Sequence, residues 1–202
     1  MLQGTIRPVN APIPVRGSSQ TNDAALLERV ADGDARAFET LYRAYFRRLT
    51  RFLERMTRRP ALVEEVLNDT MFVVSRNAHK YNHSAKVSTW IFAIAYRKGL
   101  KALKRLDDPV DTDLDFAQVG DETGLEPKDE LMQLQLRRLL STAVDALSIN
   151  HRAVVELTYF QGASYREIAL IMGCPIQTVK TRMFHARRHL KALLPDRLED
   201  LL

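Results

Sequence analysis

The sequence predicts an all-α protein: two small helical domains joined by a flexible acidic linker. Three observations predict it. Apolar residues recur at spacings of three and four in both halves, and no strand-like alternation bounded by turn signals occurs. Charge divides the 202-residue chain into three parts: residues 1–106 hold 19 Lys/Arg against 9 Asp/Glu, residues 107–130 hold 1 against 10, and residues 131–202 hold 10 against 6. The acidic middle contains Pro109, Gly120 and Gly124 and sustains no period, as a linker does. The domain boundaries that follow are a flexible N-terminal extension over 1–21, a helical domain over 22–106, the linker over 107–127 and a second helical domain over 128–202.

The extension holds Pro8, Pro12, Pro14, Gly17, Ser18 and Ser19 without a continuous apolar run, so it does not read as a secretory signal. Asp34 suits the N-cap of a helix running to about Met56. Phe38, Leu41, Tyr42, Tyr45, Leu49, Phe52, Leu53 and Met56 form its apolar face. Pro60 suits the first turn of the next helix. Leu62, Val63, Val66, Leu67, Thr70, Val73 and Val74 repeat the pattern there. A polar stretch, His79 to Ser84, breaks it before a further helix with Val87, Trp90, Ile91, Ile94 and Ala95. Trp90 is expected in the core. After the linker, Pro127 starts a helix with Leu131, Leu134, Leu139, Ala143, Val144 and Leu147.

The sharpest signal lies between Ser164 and Leu190. Ser164-Tyr165-Arg166-Glu167 has the spacing of a capping box, in which a serine hydroxyl and a glutamate carboxylate reciprocally satisfy two backbone amides. Ile168, Ala169 and Met172 give a short helix its apolar face, Gly173 permits a left-handed turn, and Pro175 suits a helix start. The second helix turns Ile176, Val179, Met183, Ala186 and Leu190 inward. Gln177, Lys180, Thr181, Phe184, His185, Arg187 and Arg188 face elsewhere. Two helices, a short glycine turn and a polar, basic outer face make a helix-turn-helix suited to DNA. An exposed Phe184 among basic residues points the same way.

The N-terminal half carries two further clusters. Glu65 and Asp69 are four apart and share a helix face. Arg97, Lys101, Lys104 and Arg105 form a basic stripe suited to a phosphate backbone. The loop before that helix holds His79, Lys80, Tyr81, Asn82 and His83, groups that can stack on and hydrogen-bond an unpaired base. The histidines lack an acidic or thiol partner at ligand spacing, so no metal and no cofactor are expected.

The run from Tyr159 through Ala169, with Gly173-Cys174-Pro175 and Thr178-Val179-Lys180-Thr181-Arg182, resembles domain 4 of extracytoplasmic-function (ECF) sigma factors, a group of the sigma-70 family. Val63 to Thr70 and Ser88 to Arg97 are similar to domain 2 of the same class. The resemblance implies a promoter-recognition subunit of RNA polymerase. It assigns the −35 element to the second helix, with Lys180, Thr181, Phe184 and His185 near bases and Arg182, Arg187 and Arg188 near phosphate or solvent. It assigns the −10 element to Lys80, Tyr81, Asn82 and His83 with the stripe behind them, and core-polymerase docking to Glu65, Asn68 and Asp69. The implied partners are core RNA polymerase, promoter DNA and an anti-sigma factor. His185 stands where arginine is common, Asn68-Asp69 where Gln-Glu is commoner, and Lys98-Gly99 where many members carry asparagine.

Two other classes bear on the sequence. A one-component regulator would share the helix-turn-helix, but its sensor half would show a ligand-pocket pattern instead of a basic helix beside an aromatic-polar loop. An enzyme acting on nucleic acid would need a metal cluster, a phosphate-cradling glycine loop or a nucleophile arrangement, none of which is legible. Cys174 reads as a turn filler. The expectation is a non-enzyme without a small-molecule substrate. It is cytoplasmic, consistent with a single cysteine and no apolar run long enough to cross a bilayer.

Overall fold

The computed structural model describes residues 19–106 and 141–193. The extension before residue 19, the linker, the helix start at Pro127 with Leu131, Leu134 and Leu139, and the last nine residues lie outside the described residues. Among those described, every regular element is helical: α1 (Ser19–Ala31), α2 (Ala35–Thr57), α3 (Pro60–Asn77), a 3-10 turn (Ala78–Lys80), α4 (Val87–Arg105), a helical stretch over 141–145, then α5 (Ile149–Tyr159), α6 (Tyr165–Met172) and α7 (Ile176–Leu193).

The first module is built around α2. Asp34 caps it, accepting hydrogen bonds from the amides of Arg36 (2.9 Å) and Ala37 (3.1 Å). The Ala37 amide foremost, with the Arg29 guanidinium, holds this carboxyl below its ordinary value. The buried face runs through Leu41, Tyr45, Leu49, Phe52, Leu53 and Met56, while Phe38 and Tyr42 are half-buried. Arg58 ends the helix at φ 54°, in the left-handed region, and Pro60 begins α3 two residues on.

Helix α1 is not anticipated by the sequence reading, and its first residues fall inside the stretch expected to be an extension. Leu26, Leu27 and Val30 enter the core. The buried Tyr45 hydroxyl donates to Asp23 Oδ2 at 2.6 Å. Burial, and then the adjacent carboxylate, push the phenol far up, so the proton stays on the bond that ties α1 to α2.

Helix α4 is buried on more than one side. Six consecutive residues, Ile91 to Tyr96, are buried, which a helix covered on a single face cannot achieve. Phe92 packs edge-on against Phe52 at 5.2 Å. Gly99 marks the close approach to α2: a Cβ there would lie 2.1 Å from the Met56 Cε. Trp90 is half-buried, not core, and packs on Tyr81.

The second module's core joins Ala143, Leu147, Ala153, Val154, Leu157, Ile168, Ile171, Val179, Met183, Ala186 and Leu190. This module covers the remaining side of the first. Helix α5 packs on α2, and α6 packs on α4. Helix α5 therefore buries polar residues, Asn150, Arg152 and Glu156, among its apolar ones.

Candidate nucleic-acid interface

The helix-turn-helix has the local chemistry its sequence called for. Ser164 Oγ accepts from the Glu167 amide (3.3 Å), and Glu167 Oε2 accepts from the Ser164 amide (2.7 Å). Burial acts to raise the Glu167 pKa, but the Lys86 ammonium and the Ser164 donors outweigh it and hold the carboxyl below its ordinary value. Gly173 ends α6 at φ 64° with its N–H on the Ala169 carbonyl. Residue 173 thus uses the freedom that glycine alone has there without strain.

These turns fix how α7 presents its outer face. Gln177, Lys180, Thr181, Phe184, His185 and Arg188 are exposed, and Val179, Met183, Ala186 and Leu190 are buried beneath them. Ile176, expected inward, is only half-buried. Phe184 is 63% exposed with an edge contact to His185. Two arginines differ from expectation. Arg187 Nε and Nη2 both donate to the Tyr159 hydroxyl (3.1 and 2.8 Å). Arg182 is half-buried, with Nη1 3.7 Å from Cys174 Sγ. Both guanidiniums have partners within the module and are partly buried, while Arg188 is exposed.

The loop before α4 is more structured than a free platform. The Tyr81 hydroxyl donates to the Ala85 carbonyl at 2.5 Å, and its ring packs on His83 (4.7 Å) and Trp90 (5.7 Å). Burial raises the phenol pKa. Asn82 Oδ1 accepts from the amide and hydroxyl of Ser84 (3.2 and 2.7 Å), leaving its amide nitrogen as the outward donor. His83 adopts φ 57°. Lys80, Asn82 and His83 are exposed.

Arg97, Lys101 and Lys104 form an exposed row on α4. Arg105 instead reaches Glu65 on α3 at 2.6 Å, and Lys98 reaches Asp69 at 3.0 Å. The Tyr42 hydroxyl donates to Asn68 Oδ1 at 3.0 Å. The three residues expected to dock polymerase thus share one exposed face, each already tied to a neighbouring helix. Both ion pairs are solvent-exposed and therefore cheap to exchange for a partner's cations. The same face continues to Phe72, 65% exposed, with Phe46, 45% exposed, on the adjoining helix. The sequence reading missed both. The spacing from Glu65 through Asn68 and Asp69 to Phe72 is the signal that could have found the first of them.

No group of three or more His, Cys, Asp or Glu suited to a metal occurs among the described residues, and none of their helices is long and apolar enough to cross a membrane.

An all-helical, two-module protein with one helix-turn-helix and a second basic helix behind an aromatic loop is the class the geometry defines. Comparison with known proteins specifies it. Residues 41–108 match the family model "Sigma-70 region 2" and residues 137–190 match "Sigma-70, region 4". The chain belongs to the sigma-70 family, as an ECF sigma factor. It is 27% identical over 195 residues to the ECF RNA polymerase sigma-E factor of Haemophilus influenzae, covering 92% of this chain and 100% of that one. It is 28% identical over 178 residues to the protein of the same name from Escherichia coli K12, covering 84% and 93%. In fold it is similar to CnrH, solved with the cytosolic domain of CnrY (TM-score 0.60, 22% identity, 85% of this chain and 96% of that one). It is also similar to the sigma factor RpoE of Bartonella quintana, solved with the anti-sigma factor NepR (TM-score 0.55, 22% identity, 77% and 95%).

Proposed function

We propose that this chain directs bacterial RNA polymerase to a set of promoters, with region 4 reading the −35 element through α7 and region 2 docking core polymerase and holding the −10 element. The observation that carries this reading is the exposed row on α7, Gln177, Lys180, Thr181, Phe184, His185 and Arg188, set over a buried face by the Ser164–Glu167 capping box. A recognition helix enters the major groove with such a row. Lys180 and His185 supply donors, Phe184 an apolar surface for a thymine methyl group, and Arg188 a phosphate contact. In region 2, Arg97, Lys101 and Lys104 would follow the backbone while Lys80, Tyr81, Asn82 and His83 hold an unstacked base. Glu65, Asn68 and Asp69 would meet cationic groups of the core.

The chain acts by binding and positioning, without a chemical step of its own, in the cytoplasm where polymerase works. Both solved neighbours were captured with a second chain, one of them named an anti-sigma factor, which supports control of this chain by such a partner.

The test is promoter-dependent transcription with purified core polymerase. Phe184→Ala and Lys180→Ala should each weaken promoter binding at unchanged helicity, because both side chains are exposed. Arg188→Ala, which removes a phosphate contact, should instead lower the salt slope of binding by about 1. Wild-type promoter affinity in both variants refutes the assignment of α7.

A further inference from the structure

Five side chains of the outward row of α7, Gln177, Lys180, Thr181, Phe184 and Arg188, are of types that keep one charge state near neutral pH. The sixth, His185, is of the one type whose charge changes between about pH 5 and 8. Phe184 meets its ring edge-on, 5.5 Å between centroids. Helix α5, which packs on α7, brings a second imidazole, His151, to 6.3 Å. Ser148 anchors that second ring: its Oγ accepts from the His151 amide (3.5 Å) and lies 3.0 Å from Nδ1.

The charged groups around His185 are cations or have their partners elsewhere. One turn away on α7 itself are Arg182, Arg188 and His189. On α5, Arg152 donates to the Met56 carbonyl and Tyr159 accepts from Arg187. On α6, Arg166 is an exposed cation. Residues 141–193 contain three carboxylates, Asp145, Glu156 and Glu167, and each pairs with a cation of the first module, Arg58, Arg55 and Lys86 respectively. None of the three is left to hold a proton on His185. Duplex DNA reverses this balance, because its phosphates bring dense negative charge to the outer face of the helix. A base edge adds acceptors, the N7 of either purine and the O6 of guanine. An imidazolium donates to such an acceptor about twice as strongly as a neutral ring does.

We propose that His185 is a proton-dependent specificity residue: as an imidazolium it donates to a purine acceptor in the −35 element, so that reading by α7 tightens as pH falls. The inference rests on the promoter reading above. The sign follows from linkage. The free chain surrounds His185 with cations and the complex surrounds it with acceptors and phosphates, so binding takes up a proton and affinity falls as pH rises. The expected fall is about tenfold, in the lower part of what one good base contact is worth.

The experiment measures binding of the full chain, assembled with core polymerase, to a library of duplexes varied in the −35 element, near pH 6 and near pH 8 at constant salt. Wild type should bind its preferred sequences about tenfold more tightly at the lower pH, with sharper preference at one base position. His185→Gln, at unchanged helicity, should lose that difference and bind as wild type does at the higher pH. His185→Arg, a permanent cation, should also lose it. His151→Gln should keep it. The other histidines of the assembly are common to all variants, so the comparison between variants isolates His185. Equal wild-type affinity at both pH values, or a pH dependence that survives in His185→Gln, overturns the proposal. Loss of the dependence in His151→Gln alone would make the neighbour the titrating group and overturns it too. A uniform fall across the library without a change of preference would place the ring on a phosphate and overturns the base contact. If no sequence in the library is preferred at either pH, the promoter reading itself fails.

Discussion

Glu156 is the residue through which the packing of the second module on the first becomes measurable by pH. Its side chain is 3% exposed; its compensation is the Arg55 guanidinium at 3.5 Å, then the Gln161 side chain, with Arg51 further off. Burial raises its pKa from 4.5 to about 7, against the opposing pull of Arg55. The native chain therefore holds this proton more tightly than the unfolded chain does. The stability contributed by protonated Glu156 is fully present below pH 4.5 and is lost as pH rises towards about 7. At 1.36 kcal/mol per pKa unit the loss is about 3 kcal/mol. Glu156→Gln keeps the shape and removes the titration. The variant should differ little from wild type at pH 5 and should be more stable by about 3 kcal/mol at pH 8, the pull of Arg55 being already contained in the raised pKa. Urea unfolding followed by circular dichroism, extrapolated linearly at each pH, measures the difference. A gap that is the same at pH 5 and pH 8, or a variant less stable at pH 8, refutes the reasoning.

Three further outcomes follow from other parts of the chain. Gly99→Ala places a methyl group against the Met56 Cε, the far end of a flexible side chain, while gaining the helix propensity of alanine, and should change the unfolding free energy by less than ~1 kcal/mol; a loss well above that would mean that Met56 cannot give way. Asp69→Lys should weaken pull-down of core polymerase while leaving promoter DNA binding by region 4 intact, and wild-type pull-down would place the docking face elsewhere. Tyr81→Ala with Asn82→Ala should leave closed-complex formation nearly unchanged but reduce permanganate reactivity of promoter thymines, with rescue on a pre-opened bubble; normal reactivity on duplex DNA would reduce the loop to a surface turn.

The sequence revealed what local chemistry determines and hid what the second module imposes. Asp34, Pro60, Ser164 and Gly173 each mark a helix boundary, because a cap, a fixed φ or a left-handed turn is decided within a few residues. The outward row of α7 followed from its period in the same way. Helix α5 was not anticipated by the sequence reading, and the reason is physical. Asn150, Arg152 and Glu156 occupy buried positions that a pattern reader expects to be apolar, so the period is masked. Those residues are buried against Tyr96, the Met56 carbonyl and Arg55, which lie more than 50 positions away. The commitments of Arg105 to Glu65 and of Lys98 to Asp69 were hidden for the same reason, since a basic stripe and an acidic pair look independent until two helices cross. A buried polar group in a helix of otherwise apolar period is thus itself a signal. Water would solvate it outside, so its place inside implies a partner across an interface, and in this chain the partner is the other module.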